Sequence, residues 1–281
     1  MRKAGALIRA TTALVAVAQA ACGGQAVPST PPAPFVLVPA GDFFMGCNAA
    51  LDTQCQEDEK PQHRVTLDAF AIGRLEVTVA EYAACVTAGK CTAPHADDLC
   101  NSGVAGRESE PVSCVDWFQA KAYCEAMVPG GRLPTEAEWE KAARGGCELR
   151  DDCAHTMPTY PWGEAPPTCE RATYHGASCG GAPTPVGSKP AGASPYGALD
   201  MAGNLWEWVA DEYDPQGYST TAGRAAPATG GARVVRGSCF GYPGVYLRAS
   251  NRSSFDPALG ETNGEPAASA LFGFRCATAG P

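Results

Sequence analysis

Apolar residues fall along this chain in short groups, and nearly every group is closed by a glycine, a proline or a polar cluster. Phe35-Val-Leu-Val38 and Phe43-Phe-Met45 are too short for helices and predict strands. Residues 65–72 alternate and predict one further strand, as does Arg233-Val-Val-Arg236. Residues 272–277 predict a final strand that closes the fold near its beginning. Three helices carry clearer punctuation. Thr78-Val-Ala-Glu81 is a capping box that opens a helix running through Val86 and stopping at Gly89. Asp116 begins a second helix through Met127, with Trp117, Ala120, Tyr123 or Cys124, and Met127 as its apolar face. Thr135-Glu-Ala-Glu138 opens a third, which runs to Arg144 and ends at Gly145, with Trp139 as its core anchor. Short mixed strands with a few helices, and no internal repeat, predict an α+β domain.

Composition sharpens this picture. The 281 residues include 32 glycines and 24 prolines, and charged residues are 18%. A chain of this length supports a large single core, here in a loop-rich setting. The net charge is −9 and no basic run exists, so nucleic acid is not an expected partner. The first nine residues carry three positive charges, and an alanine-rich apolar run follows that is too short to span a bilayer. Ala20-Ala-Cys22-Gly-Gly24 resembles a bacterial lipobox. The expected organisation is a signal peptide over 1–21, a Pro/Ser-rich tether over 22–34 and one domain over 35–281. Cys22 is the expected lipidation site, which would place the protein at the bacterial cell envelope, held to the membrane by a lipid anchor.

Fourteen cysteines in an exported chain predict disulfides. Cys47 with Cys55, Cys147 with Cys153 and Cys169 with Cys179 each flank one loop. Cys85, Cys91 and Cys100 sit at or beyond the end of the first helix. No CxxC pair is present, so loop disulfides are favoured over zinc. Setting Cys22 aside leaves thirteen, so at least one cysteine is unpaired or bridges two molecules.

The densest stretch is 198–213, which contains Gly203-Asn-Leu-Trp-Glu-Trp208. Two tryptophans set among Asp200, Asn204 and Glu207 mark a folding keystone, a hard-cation site, or both. This stretch resembles the signature of the formylglycine-generating enzyme (sulfatase-modifying factor) family. In the family's order the chain also carries Phe43-Phe-Met-Gly46, Pro61-Gln-His-Arg-Val65, Leu75-Glu-Val-Thr78, the run from Arg132-Leu-Pro-Thr-Glu to Gly146, Tyr160-Pro-Trp-Gly163, Pro185-Val-Gly-Ser188, Arg236-Gly237 and Gly273-Phe-Arg-Cys276. The resemblance implies the family's irregular C-type-lectin-like fold and a groove lined by Trp206, Asn204 and Arg248. It implies a disulfide between Cys124 and Cys276, while the family's other bridge would join positions that are Ala143 and Ala249 here. It also implies a calcium site formed by the Asp200 and Glu207 side chains and the Gly203 and Leu205 carbonyls, a donor set suited to that cation.

Catalysis is a different matter. Active members hold copper(I) through two cysteines, a soft pair suited to that metal. Tyr242 and Gly244 or Val245 fall at those positions here, and Cys239 falls on the family's active-site serine, so copper is not expected. His63, His95, His155 and His175 form no HxxxH pattern, and the resemblance gives His63 a structural role. The family's iron-dependent branch binds metal through histidines, some in an additional N-terminal helical domain that this sequence lacks, so that chemistry is not expected either. No Gly-x-Ser-x-Gly occurs, and Glu136, Glu138 and Glu140 read as a helix face and cap. The expectation is therefore a binding or structural role at the envelope, toward a protein or small-molecule ligand. The alternative is a divergent oxidoreductase using the same pocket, with Trp206, Asn204, Cys239 and Arg248 as its candidates.

Overall fold

In the computed structural model, described residues are 1 and 34–280 apart from 97, 177–178, 215–217, 219–230 and 259–269. The expected signal peptide, most of the tether and the Cys22 lipidation site lie outside them.

Three small sheets carry the fold. Strand β1 (Phe35–Val38) pairs with β4 (Phe70–Gly73), and β4 pairs with β9 (Ala277–Ala279), so the two ends of the domain meet in one sheet. Strands β2 (Gly41–Met45) and β3 (His63–Leu67) form a hairpin-like pair. The largest sheet has the order β7 (Arg252–Phe255), β6 (Arg233–Arg236), β5 (Trp206–Glu212), β8 (Phe272–Gly273), with β5 and β8 parallel. Helices α1 (Val79–Thr87), α2 (Trp117–Met127) and α3 (Glu136–Arg144) begin where the sequence places them, each behind a capping box at Thr78, Asp116 or Thr135. Among the described residues no helix is long and apolar enough to cross a membrane.

Two expected strands are each divided. The 65–72 run breaks at Asp68-Ala69 into β3 and β4, which belong to different sheets. The buried positions change phase across the break, from Val65 on one side to Phe70 and Ile72 on the other, which is what a turn inserted into a two-residue period produces. The 272–277 run breaks at Phe274-Arg-Cys276, because Arg275 turns into a buried ion pair and Cys276 into a disulfide. Met127, expected on the apolar face of α2, is exposed, whereas Trp117, Ala120, Tyr123 and Cys124 are buried.

Six disulfides close the described loops. Cys124–Cys276 ties α2 to the segment before β9, and Cys47–Cys55, Cys147–Cys153 and Cys169–Cys179 close the loops they flank. Cys85–Cys91 fastens the end of α1, and Cys100–Cys114 pins the loop beyond it. Ala143 and Ala249 are both fully buried in one hydrophobic cluster.

Helix α3 departs most from expectation. All nine of its residues are buried, so its glutamates do not form a solvated face. Glu138 does cap, accepting from the Thr135 N–H at 2.8 Å, and it also takes both Nη atoms of Arg132. Glu136 receives Arg252 at 2.8 Å and Arg236 at 2.9 Å, while Glu140 receives Arg236 at 2.6 Å and Arg144 at 2.9 Å. Charges survive burial only when matched this way.

Candidate functional site

The keystone stretch is built on unusual backbone. Asp200 and Asn204 have φ of 57° and 64°, and Gly203 has φ of 83°. A Cβ at Gly203 would stand 2.2 Å from the Thr173 carbonyl oxygen, so only glycine lets the two segments approach. The Asn204 amide then bridges three places: its Oδ1 accepts from the Thr184 N–H at 2.9 Å, and its Nδ2 donates to Glu76 at 2.6 Å and to the Thr184 carbonyl at 3.3 Å. Asn204 thus locks loops together beneath the surface rather than lining a cavity with free polar atoms.

Glu207, fully buried at the start of β5, accepts from Trp139 Nε1 at 2.9 Å and from Arg275 Nε at 2.7 Å and Nη2 at 2.6 Å. Asp200 accepts from the Gly187 N–H at 2.6 Å, and Glu76 accepts from the Leu205 N–H at 3.1 Å. Three buried carboxylates therefore gather around one guanidinium. Desolvation, reinforced by repulsion from Asp200 and Glu207, pushes Glu76 well above the usual carboxylate range, and burial raises Asp200 as well. The cluster sets three carboxyl groups around Arg275, and burial shifts Glu76 and Asp200 toward their protonated forms. Glu207 Oε1 takes a single donor and keeps acceptor capacity for a cation. The Asp200 and Glu207 carboxylates and the Gly203 and Leu205 carbonyls are hard oxygen donors, the kind that calcium takes.

Around Trp206 the surroundings are aromatic. Its ring meets Tyr242 edge-on at 5.7 Å, and Tyr242 meets Tyr246 at 5.6 Å in the same manner. Trp208 donates its indole N–H to the Val115 carbonyl at 2.9 Å, but the buried N–H of Trp206 has no partner among the described residues. Cys239 belongs to the same hydrophobic cluster and is fully buried. Burial pushes its thiol up to about 12, against the N–H groups of Gly241 and Tyr242, which pull it down. It is the free cysteine among the described residues; the twelve others are in bridges. A copper(I) pair therefore does not fit: Tyr242 is a phenol, Gly244 has no side chain, Val245 is aliphatic, and the one thiol is protonated and sealed.

Arg248 is placed apart from this cluster. Its guanidinium runs to the buried carboxylate of Glu59 at 2.6 Å and to Asp52 at 3.3 Å, beside the Cys47–Cys55 bridge. Of the four groove candidates, Trp206 and Cys239 share one cluster, Asn204 braces the loop next to it, and Arg248 is an ion-pair partner elsewhere. Sequence reasoning gave no role to Glu76, Arg275, Glu59 or Arg252. Glu76 and Arg275 sit inside quoted motifs, Leu75-Glu-Val-Thr78 and Gly273-Phe-Arg-Cys276, and that was their only signal. His63 stacks obliquely on Tyr218 with ring centroids 4.8 Å apart.

Comparison with known proteins bears on the family and the fold. A family model described as "Sulfatase-modifying factor enzyme 1-like domain" matches residues 23–279. The chain is 34% identical over 252 residues to a hercynine oxygenase of Mycolicibacterium smegmatis, covering 78% of this chain and 56% of that relative. It thus spans about half the length of that relative. It is 33% identical to the formylglycine-generating enzyme of Streptomyces coelicolor, covering 86% of this chain and 88% of the relative. The structure of PvdO from Pseudomonas aeruginosa superposes with a TM-score of 0.68 at 29% identity, covering 86% of this chain and 93% of that one.

Proposed function

The chain belongs to the sulfatase-modifying factor family, and from that premise we propose that it is a non-catalytic member: an exported domain, tethered at the cell envelope, that binds a protein or small-molecule ligand. One observation carries the reading. Cys239 is the free cysteine among the described residues, and its thiol is buried and held protonated. A copper-dependent thiol oxidation needs two accessible thiolates. What the fold retains is a rigid, disulfide-braced scaffold with half-buried aromatics around Trp206, and rigid scaffolds carrying loops suit recognition. The reading is tested by incubating copper-loaded protein with a sulfatase-motif peptide and oxygen, and following peptide mass. An unchanged thiol mass is expected; turnover overturns the reading.

The second reading, a divergent oxidoreductase on a protein or small-molecule substrate, is favoured by the unpartnered Trp206 N–H and by the oxidative names of the relatives. It predicts oxygen consumption with some substrate, lost on Trp206→Phe.

Two accessory features belong to the proposal. Calcium is held by Asp200 and Glu207 with the Gly203 and Leu205 carbonyls, and the hard-oxygen character of that donor set supports it. Calorimetric titration and a fall in Tm on chelation test it; neither heat nor a shift removes the site. Cys22 is the lipidated mature N-terminus, to be read from the intact mass of envelope-derived protein.

A further inference from the structure

A cleft of about 650 Å³ opens between α2, the turn joining β3 to β4, and the end of β9. Its floor residues Trp117 and Leu133 belong to the same hydrophobic cluster as Trp206, and its volume lies in the size range of small-ligand sites. Its floor is apolar, from Trp117, Leu67 and Leu133. The Trp117 indole N–H is already donated to the Val209 carbonyl at 2.7 Å, so the ring offers the cleft only its apolar body.

The charges on the walls are unequally satisfied. Lys121 is paired with Glu125, and Arg132 with Glu138 at 2.6 Å. Asp68, which also lines the cleft, has no ion pair or hydrogen bond from its carboxylate among the described residues. The cleft therefore presents one uncommitted negative charge and no uncommitted positive one.

The backbone adds a second feature. β9 runs antiparallel to β4 with Phe70 opposite Ala279, Ala71 opposite Thr278 and Ile72 opposite Ala277. Gly73 donates to the Cys276 carbonyl and Gly280 to the Ala69 carbonyl, so residues 276, 278 and 280 face β4. Residues 277 and 279 must direct their N–H and C=O to the opposite edge. At Ala277 both groups are taken by Arg132, at 2.8 and 2.9 Å. At Ala279, exposed and lining the cleft, neither group has a partner among the described residues. This is a short open strand edge beside an unpaired carboxylate and above an apolar floor.

From this juxtaposition we infer that the cleft binds the amino-terminal end of an extended peptide whose first side chain is apolar. The ammonium group pairs with Asp68, the N–H and C=O of the second residue exchange hydrogen bonds with Ala279, and the first side chain rests on Trp117 and Leu133. An added strand supplies affinity through the backbone, while the charge and the apolar floor supply selectivity. A carboxylate-bearing ligand has no free cation to meet, which excludes the opposite polarity.

The test is calorimetry on the full chain with two tripeptide amides, Leu-Val-Ala-NH2 with a free amine and its N-acetylated form. The free amine is expected to bind about tenfold tighter, the order of one charge-assisted hydrogen bond. In Asp68→Asn that preference disappears. Ala279→Pro removes the cleft-facing N–H without touching the β4 ladder, and weakens both peptides. Unchanged melting temperatures in either variant show that the fold is intact. Equal affinity for the two peptides, an amine preference surviving in Asp68→Asn, or the absence of saturable binding each overturns the inference.

Discussion

Cys239 sits between reactivity and structure, and its surroundings decide the matter. A thiol pushed up to about 12 and fully buried is neither nucleophile nor ligand at neutral pH. Peptide-resolved alkylation is expected to leave Cys239 unmodified in native protein and to label it fully after denaturation; native labelling would disprove the burial argument. Glu140 shows the opposite case of a charge that is held. Its carboxylate lies between Arg236 and Arg144 and also accepts from the Gly46 N–H at 2.7 Å. Burial alone would raise it, but the two guanidiniums and the hydrogen bonds hold it below the usual range. Glu140→Ala leaves buried Arg144 without a carboxylate and Arg236 with Glu136 alone, and is expected to cost about 3–5 kcal/mol in denaturant unfolding. That the sequence shows three glutamates on one helix says nothing of this, because Arg236 and Arg252 come from strands about a hundred residues away.

At the scale of elements, capping boxes made α1 and α3 legible and Asp116 with an apolar face made α2 so, since a cap is a local hydrogen-bonded circuit written within four residues. Strand β5 was not legible: Trp206–Glu212 is buried along almost its whole length and shows no alternation. Strand β7, at the edge of the same sheet, mixes Arg, Ser and Phe and owes its pairing to β6. The Cys124–Cys276 bridge joins elements 152 residues apart. Replacing both cysteines by alanine is expected to destabilise by up to about 5 kcal/mol in the chain-entropy model. The corresponding loss for Cys85 with Cys91, only 6 residues apart, is expected to be smaller. Thermal melting of the two double variants compares them directly; equal losses would mean that strain or packing, not loop closure, sets the effect.

For the whole molecule, the buried carboxylates set how stability varies with pH. Burial, with Glu136 next, raises Asp211 to about 8. The folded state then holds a proton that the unfolded chain releases near 4. Between about 4 and about 8 the native state binds more protons, so this group's contribution is full below the lower value and is lost as pH rises through the upper one. Glu76 and Asp200, also raised, act in the same direction. Glu140, lowered, contributes in the opposite sense, with stability lost as pH falls. Asp211→Asn keeps an acceptor for the Glu136 N–H and cannot ionise, so it is expected to flatten the decline of Tm between pH 6 and pH 8, roughly the upper half of that window. A wild-type slope retained in that variant would assign the titration elsewhere.

What the chain order alone determined was local or compositional: helix starts, the short strands at 35–38 and 233–236, the α+β class, and the loop disulfides Cys47–Cys55, Cys147–Cys153 and Cys169–Cys179. The family's ordered motifs added the Cys124–Cys276 bridge and the identity of the fold. Only the tertiary structure decided which charged residues were buried and with whom. Glu76 with Asn204, Glu59 with Arg248, Glu136 with Arg252 and Glu207 with Arg275 each join segments more than sixty residues apart. No periodicity records such a pairing, because the partner that makes each of these buried charges tolerable comes from a segment distant in sequence. The same is true of the cleft edge at Ala279: its open N–H and C=O follow from a register that exists only once β4 and β9 have met.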